Sequence, residues 1–290
     1  MPELILAIDI GNTNIHFGIF TCNQQLVAQE NIAHRQLNTF LKQWKRNIKI
    51  TPSSPPGGMV KTTAGPDKIG AGPDALSPGE IVSSVRTGLI SSTRPRTNPT
   101  LNQWVRRVFR IKPLQFNKDF KSPIPVLVDE PEKVGSDRIL NAIAAYERTK
   151  QTTVVIDFGT AITFDVISQR GEFLGGVIAP GINLMARGLH RDCALLPLIK
   201  PEIATRPIGK NTTGAMQAGL YFGTIGLANQ IIDEIIKELD TGHRLPKIVA
   251  TGRDAELFKT ALPKIQQFIP GLTLEGLLLA YLKTKNTYRF

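Results

Sequence analysis

Two segments of the chain share one pattern, in which an apolar run ends in an aspartate, one further residue and a glycine, followed by small polar side chains. The aspartate is Asp9 in the first segment and Asp157 in the second. Each apolar run predicts a buried strand, and each turn is followed by a second strand-like run. The repeat predicts a molecule of two related halves, with the active site in the cleft between them.

The first turn has the chemistry of a phosphate site. Gly11 allows the backbone to approach an oxyanion closely, and backbone amides with the Thr13 hydroxyl can donate hydrogen bonds to it. Asp9 can hold a hydrated Mg²⁺ that screens the phosphate charge. Asn12 and Asn14 complete the turn. A strand followed by a tight hairpin is the alternative, because Gly-Asn and Asn-Thr are common turn pairs.

Length and composition indicate two domains. The chain has 290 residues, of which 41% are hydrophobic, and this is enough for two cores of ordinary size. Three strand-like runs followed by alternating helices and strands occur twice, which predicts a duplicated α/β layout with domains at 1–150 and 151–290. Residues 51–79 are rich in Gly and Pro and predict a flexible insertion in the first domain.

Other features exclude several classes of protein. No apolar run is long enough to span a bilayer, and no basic segment precedes an apolar one at the start, so we expect a cytoplasmic protein without a membrane partner. Cys22 and Cys193 lack the paired spacing of a disulfide framework or zinc site. The net charge is +11. Its densest stretch is amphipathic and indicates a solvated helix face, so we expect no nucleic-acid partner.

The periodicity also assigns secondary structure to less regular parts of the chain. It predicts short strands at 80–85 and 124–128 and a helix at 254–262. A helix that begins at Ser136 and a long helix that begins at Thr212 follow from their apolar spacing. No P-loop motif is present, so any use of ATP must rely on the two Asp-x-Gly turns.

Four motifs, taken in order and spacing, resemble the type III pantothenate kinases, a family within the acetate and sugar kinase, Hsp70 and actin superfamily. They are Asp9-Ile10-Gly11-Asn12-Thr13, Pro131-Glu132-Lys133-Val134-Gly135-Ser136-Asp137-Arg138, Asp157-Phe158-Gly159-Thr160-Ala161-Ile162-Thr163 and Gly175-Gly176-Val177-Ile178-Ala179-Pro180-Gly181. The resemblance covers the chain outside 51–79. It implies duplicated ribonuclease H-like, actin-like ATPase domains and the ATP-dependent phosphorylation of pantothenate, the first step of coenzyme A biosynthesis.

The resemblance also implies residue roles. The ATP phosphates and Mg²⁺ would be bound by Asp9, Gly11, Asn12, Thr13, Asn14, Gly159 and Thr160. Pantothenate would be bound by Gly135, Ser136, Asp137 and Arg138. Asp157 would bind a monovalent cation, K⁺ or NH₄⁺. In the homodimers of this family, a threonine that matches Thr212 reaches the partner's substrate site.

Physical reasoning assigns the catalytic role to Asp137. The attacking alcohol must lose its proton, and a carboxylate beside it can accept that proton. Asp9 and Asp157 terminate strands at the phosphate turns and are better suited to cations. The alternative for Asp137 and Arg138 is a simple helix start, where the macrodipole favours an acidic residue.

Two positions depart from the family pattern. Val128 replaces the usual tyrosine that contacts pantothenate, which bears on substrate affinity. Arg253 replaces the second glycine of a Thr-Gly-Gly sequence where adenosine is thought to bind. Two other functions stay open, namely a kinase for another small hydroxylated acid and a non-catalytic regulator that keeps the fold.

Overall fold

A computed structural model describes residues 3–47, 77–239 and 244–287. The chain forms two compact units, Met1–Lys121 with Leu277–Phe290 (unit 1) and Ser122–Gly276 (unit 2). These units do not coincide with the domains expected at 1–150 and 151–290, because the helix that begins at Ser136 lies in unit 2. Those domain boundaries stay a prediction. Of the insertion expected at 51–79, residues 51–76 lie outside the described part of the chain.

Unit 1 contains one sheet and its helices. Its strands are β1 (Leu4–Ile10), β2 (Asn14–Thr21), β3 (Leu26–Ala33), β4 (Val85–Ser92) and β5 (Leu114–Gln115). Its helices are α1 (Leu37–Asn47), α2 (Pro78–Ser84) and α3 (Asn98–Phe109). Trp104 lies at the centre of its core, with ring centroids 5.3 Å from Trp44 and 5.5 Å from Phe109 in edge-to-face geometry.

Unit 2 repeats this organisation. Its strands are β6 (Thr153–Phe158), β7 (Ala161–Ile167), β8 (Phe173–Pro180), β9 (Lys247–Thr251) and β10 (Gln267–Phe268). Its helices are α4 (Ser136–Thr149), α5 (Ile182–Asp192) and α6 (Thr212–Leu239), and the last helix, α7 (Leu272–Thr287), begins in this unit. Phe258 lies in its core, stacked on Phe158 at 5.0 Å and on Tyr221 at 5.8 Å.

The two sheets have the same topology. Their strand orders are β3-β2-β1-β4-β5 and β8-β7-β6-β9-β10. In each sheet the first three strands are antiparallel neighbours, and the two strands that follow pair in parallel. The duplicated α/β fold of ribonuclease H-like type is therefore confirmed. In both units the first strand ends beside a parallel neighbour, and this edge carries the Asp-x-Gly turn.

Residues 80–85 differ from the sequence prediction, since most of the segment belongs to helix α2. Ser77 caps this helix: its side-chain oxygen accepts from the Glu80 amide at 3.3 Å, and the Glu80 carboxylate accepts from the Ser77 amide at 2.7 Å. This reciprocal pair is a capping box, and it favours a helix over the strand that the apolar side chains suggested. Strand β4 begins only at Val85.

Two further predictions of secondary structure were wrong. Residues 124–128 form a single parallel bridge between Val126 and Phe173 instead of a strand. Pro123 and Pro125 both precede Val126 and have no amide hydrogen for a longer ladder. Residues 254–262 form only a short 3₁₀ helix, Ala255–Phe258, because the segment connects β9 and β10 by tight turns instead of extending along a helix axis.

Two surface observations complete the fold. Cys22 in unit 1 and Cys193 in unit 2 are both exposed free thiols. In the described part of the chain, no helix has the combination of length and apolar character needed to cross a membrane.

Candidate active site

The turn after β1 is built as a tight loop at the edge of the sheet in unit 1. Asp9 is only 4% exposed. In the sheet its backbone lies opposite His16 on β2 and Ser91 on β4. The Gly11 amide donates to the Asn14 carbonyl at 3.0 Å and closes the turn. The Asn12 and Thr13 residues between them are exposed. All five residues predicted for phosphate binding here therefore lie in one small region.

The start of α4 places a second group of predicted residues together in unit 2. Gly135 is the N-cap, and Ser136, Asp137 and Arg138 form the first turn. The Asp137 Oδ1 atom accepts from the Arg138 amide at 2.9 Å. A Cβ atom on Gly135 would lie 2.5 Å from that oxygen, so glycine leaves the space that the carboxylate occupies.

Arg138 is held by a buried aspartate on β7. Its Nε and Nη2 atoms both lie 2.6 Å from Asp165 Oδ1. The Thr163 hydroxyl donates to the other carboxylate oxygen at 3.2 Å, and the guanidinium lies 5.5 Å from the centroid of the Phe173 ring. Asp165 has no exposed surface. A guanidinium fixed on two sides in this way keeps one orientation, which suits recognition of a ligand carboxylate.

Strand β8 leaves room for this ion pair. A Cβ on Gly176 would overlap the Phe164 carbonyl oxygen and would lie 3.1 Å from Arg138 Nη2. The second glycine of the fourth motif therefore has a structural reason, because a side chain at Gly176 would displace either the strand or the arginine.

Asp157, at the end of β6, lies beside α4. The Asn141 amide group donates to Asp157 Oδ2 at 3.0 Å, and the Asn141 oxygen accepts from the Thr273 hydroxyl at 2.8 Å. Asn141 is one helical turn beyond Asp137, so both side chains lie on the same face of α4. The helix thus joins the predicted catalytic carboxylate to the predicted cation site.

Three aspartates of unit 2 have raised pKa values, mainly because they are buried. Burial, followed by the charge of Asp137, raises the pKa of Asp157 to about 7, with smaller contributions from Asp165 and Asp254. Burial also raises the pKa of Asp165 to about 6, although Arg138 opposes this shift. The pKa of Asp137 is raised as well, mainly by burial. This cluster of negative charge favours either protonation or a bound cation.

The second Asp-x-Gly turn is packed tightly against its surroundings. A Cβ on Gly181 would overlap the carbonyl oxygens of Gly159 and Thr160, so the turn lies directly against the start of α5. Gly252 has φ +96°, and a Cβ there would overlap the Asp157 carboxylate and the Phe158 backbone. Close approach of backbone on both sides defines the shape of this site.

The other positions singled out in the sequence are Thr212, Val128 and Arg253. Thr212 is exposed at the start of α6, and the described contacts do not join it to the carboxylates. Val128 lies opposite Gly175, whose Cβ would be 3.7 Å from a Val128 methyl group. The Arg253 Nε atom lies 3.3 Å from Asp254 Oδ1, and Asn183 donates to the other Asp254 oxygen at 2.7 Å.

Sequence reasoning did not assign roles to Asp165, Asn141 or Asp254. Asp165 had a usable signal, because it is a charged residue within an otherwise apolar run and the charge requires a partner when that strand is buried. Asn141 also interrupts the apolar face of a helix. Asp254 had no comparable signal, since it lies in a polar turn.

Comparison with known proteins identifies the family. The family model described as type III pantothenate kinase matches residues 5–234. The chain belongs to this family. Among similar proteins named type III pantothenate kinase, that of Acidobacterium capsulatum is 41% identical and covers 71% of this chain and 74% of its own. The protein of Myxococcus xanthus is 34% identical, with 96% and 98% covered, and that of Anaeromyxobacter dehalogenans strain 2CP-C is 37% identical, with 94% and 97% covered.

Proposed function

We propose that the protein phosphorylates the primary hydroxyl of pantothenate with ATP, the first step of coenzyme A biosynthesis. The observation that carries this proposal is the start of α4, where a half-buried carboxylate, Asp137, lies next to an arginine fixed by a buried ion pair. A hydroxylated substrate with its own carboxylate requires both groups. Membership of the type III pantothenate kinase family names that substrate.

Asp137 acts as the base in this proposal. The hydroxyl of the substrate donates a hydrogen bond to the carboxylate, which takes the proton as the oxygen attacks phosphorus. Burial raises the pKa of Asp137, and a raised pKa makes the carboxylate a better proton acceptor near neutral pH.

Arg138 binds the pantothenate carboxylate. Asp165 is the positioning residue behind it, because its oxygen holds both Nε and Nη2 at 2.6 Å. Gly135 and Ser136 complete the substrate side of the helix start. In this arrangement α4 orients the hydroxyl and the carboxylate of one small molecule from two consecutive residues.

The two Asp-x-Gly turns bind the phosphates. In unit 1, Asp9 would hold Mg²⁺, and the turn from Gly11 through Asn12 and Thr13 to Asn14 supplies amide and hydroxyl donors. In unit 2, Gly159 and Thr160 supply the matching donors. Mg²⁺ bound at Asp9 would neutralise charge on the transferred phosphoryl group. The cleft between the halves stays a prediction.

Asp157 binds the monovalent cation, K⁺ or NH₄⁺. The site fits a cation because burial and three neighbouring carboxylates, Asp137, Asp165 and Asp254, all raise the pKa of Asp157. A bound cation offsets that repulsion and keeps the cluster ionised. Within the described residues, no three His, Cys, Asp or Glu side chains are arranged to hold one metal ion together, so Asp157 would share the cation with other oxygen ligands.

A homodimer would form through α6. Five residues spaced by three and four positions occupy one face of this helix, and we name them the α6 face: Thr212, Ala215, Gly219, Phe222 and Gly226. All five are exposed, with none of them charged, and a Cβ on Gly219 or Gly226 would have no atom within 4 Å. A second copy packed there would bury this face and bring Thr212 to the neighbouring subunit. A cytoplasmic location stays a prediction.

A coupled assay of ADP release tests the function. We expect turnover with pantothenate, and none above background with glycerol, acetate or hexoses, when each is offered at the same concentration with ATP and Mg²⁺. A small hydroxylated acid that outperforms pantothenate would replace the substrate. Absence of ADP release with every acceptor, despite nucleotide binding by calorimetry, would favour a non-catalytic regulator.

A further inference from the structure

Arg94 lies at the Asp-x-Gly turn of unit 1, although it follows a different strand, β4. β1 and β4 are parallel neighbours with Ile10 opposite Ser92, so both chains leave the sheet at the same edge. Arg94 follows two residues after that pair. Ligands of open α/β sheets bind at such edges, beyond the carboxyl ends of parallel strands.

The segment is fixed to the turn by three hydrogen bonds. The Thr93 amide and hydroxyl both donate to the Ile10 carbonyl, at 2.9 and 3.1 Å. The Arg94 Nη1 atom donates to the Asn12 carbonyl at 3.0 Å. The guanidinium is therefore held against the apex of the turn.

These bonds change the electrostatic character of the turn. A backbone carbonyl oxygen repels phosphate, but each carbonyl from Ile10 to Asn14 accepts a hydrogen bond. The Gly11 carbonyl lies 2.8 Å from His34 Nε2, the Thr13 carbonyl accepts from the His34 amide at 3.3 Å, and the Asn14 carbonyl accepts from Gly11. The turn's oxygens are thus occupied, while Arg94 adds a full positive charge.

We propose that Arg94 binds the phosphate groups of the nucleotide and raises its affinity, an inference that rests on the ATP site assigned above. The side chain is exposed and forms no salt bridge within residues 3–47, 77–239 and 244–287. One of its five donors binds Asn12, and the planar group presents others in the geometry that matches phosphate oxygens.

A simpler role would be structural, with Arg94 only supporting the turn. Arg94→Gln separates the two roles, because glutamine keeps an amide donor for the Asn12 carbonyl but removes the charge. Arg86→Gln is the matched control. Arg86, like Arg94, is exposed and donates to a backbone carbonyl, that of Ser83 at 2.8 Å, but it lies near the start of β4, away from the turn.

Calorimetry of the full chain with a non-hydrolysable ATP analogue, ADP and adenosine provides the test. We expect Arg94→Gln to weaken analogue binding by about 10- to 100-fold, as loss of a charged hydrogen bond does, with ADP less affected and adenosine unaffected. Arg94→Lys should recover part of the loss. Arg86→Gln should bind all three like the wild type, and the melting temperature without ligand should not change.

Equal affinities for Arg94→Gln and the wild type would overturn the inference. So would an equal loss for adenosine and the analogue together with a lower melting temperature, since that pattern describes a support of the turn. The proposed function is judged separately, by turnover of pantothenate in the wild type. If the wild type fails to phosphorylate pantothenate but binds the analogue through Arg94, the substrate is wrong and this inference holds.

Discussion

Asp137 is one of several carboxylates in the candidate site, and it differs from the others in that it lies in the first turn of α4. We expect Asp137→Asn to lower kcat by about 10²- to 10⁴-fold, because the amide keeps the shape but cannot accept the proton. Nucleotide affinity, measured by calorimetry, should stay near that of the wild type. Asp192→Asn is the control, since Asp192 is an exposed aspartate paired with Arg191 at the end of α5. A variant at Asp137 that keeps more than about a tenth of the rate would assign the base elsewhere.

In the proposed function, Asp165 affects the substrate only through Arg138, and this role can be measured. Asp165→Asn leaves the guanidinium without its counter-charge, so we expect the pantothenate KM to rise by about tenfold or more while the ATP KM stays constant. Removing one partner of a buried pair also destabilises the fold by about 3–5 kcal/mol. Rates should therefore be measured well below the melting temperature of the variant.

A double-mutant cycle tests this coupling. If Asp165 works through Arg138, then Arg138→Ala with Asp165→Asn should have the same pantothenate KM as Arg138→Ala alone. Additive losses would mean that Asp165 affects the site by another route. The cycle therefore distinguishes a positioning residue from a general loss of packing.

We expect Asp157 to make the stability of the protein depend on pH and on cations. The carboxyl has a pKa of about 7 in the fold and about 3.9 in the unfolded chain. Between these values the folded state binds more protons, so this group's contribution to stability decreases as pH rises from about 4 to 7. In tetramethylammonium buffer, the melting temperature at pH 8 should rise when K⁺ is added.

The variant Asp157→Asn tests the same expectation. Without a charge to offset, it should melt higher than the wild type at pH 8 in the K⁺-free buffer and should not respond to K⁺. Scanning calorimetry at pH 5 and pH 8 measures both effects. An identical response to K⁺ in the two proteins would remove Asp157 from the cation site.

At the scale of the elements, the long periodic segments were predictable from sequence. The buried strands β1 and β6 and the helices α4 and α6 appear with nearly the predicted bounds, because their apolar spacing is sustained. The short segments failed where one local interaction decides the structure. At 80–85, the side chains of Ile81 and Val82 suit a strand, but the capping box at Ser77 decides for a helix.

The candidate site was predictable for similar reasons. Turn glycines and strand-end aspartates belong to local patterns, and the resemblance gave Gly135 to Arg138. The pairing of Arg138 with Asp165 joins residues that are 27 positions apart, and no local pattern specifies which buried charges meet. The elevated pKa of Asp157 also depends on several elements at once.

The insertion before α2 gives a prediction at this scale. Its Gly- and Pro-rich composition led us to expect that a short Gly/Ser linker could replace it, because loop length has little effect on closure entropy. The capping box sets the limit of the replacement, so residues 51–76 are exchanged and Ser77 is kept. We expect kcat and the melting temperature to stay near the wild-type values. A large loss of activity in a folded variant would show that the segment contributes to catalysis.

At the scale of the whole molecule, the α6 face sets the expected assembly. Gly223 lies beside that face, is exposed, and has no atom within 4 Å of where its Cβ would be. Gly223→Arg should therefore leave the protomer folded but break a dimer formed there, and activity should then fall, since the role proposed for Thr212 in the neighbouring subunit requires that dimer. Light scattering measures the assembly. Gly223→Ala is the control at the same position, and it should keep the dimer while strengthening the helix by up to about 1 kcal/mol.

Two outcomes would contradict the expected dimer. A wild-type protein that is monomeric and fully active at assay concentration would exclude the partner role of Thr212. A Gly223→Arg variant that stays dimeric would place the interface on another surface of the protomer.

The two exposed thiols offer a route to observing the working enzyme. The chain contains two cysteines, and each unit carries one of them, Cys22 or Cys193. A maleimide donor and acceptor dye would therefore report the separation of the units without any substitution in the chain. Energy transfer recorded during ATP and pantothenate addition would then time any rearrangement between the units against the release of ADP.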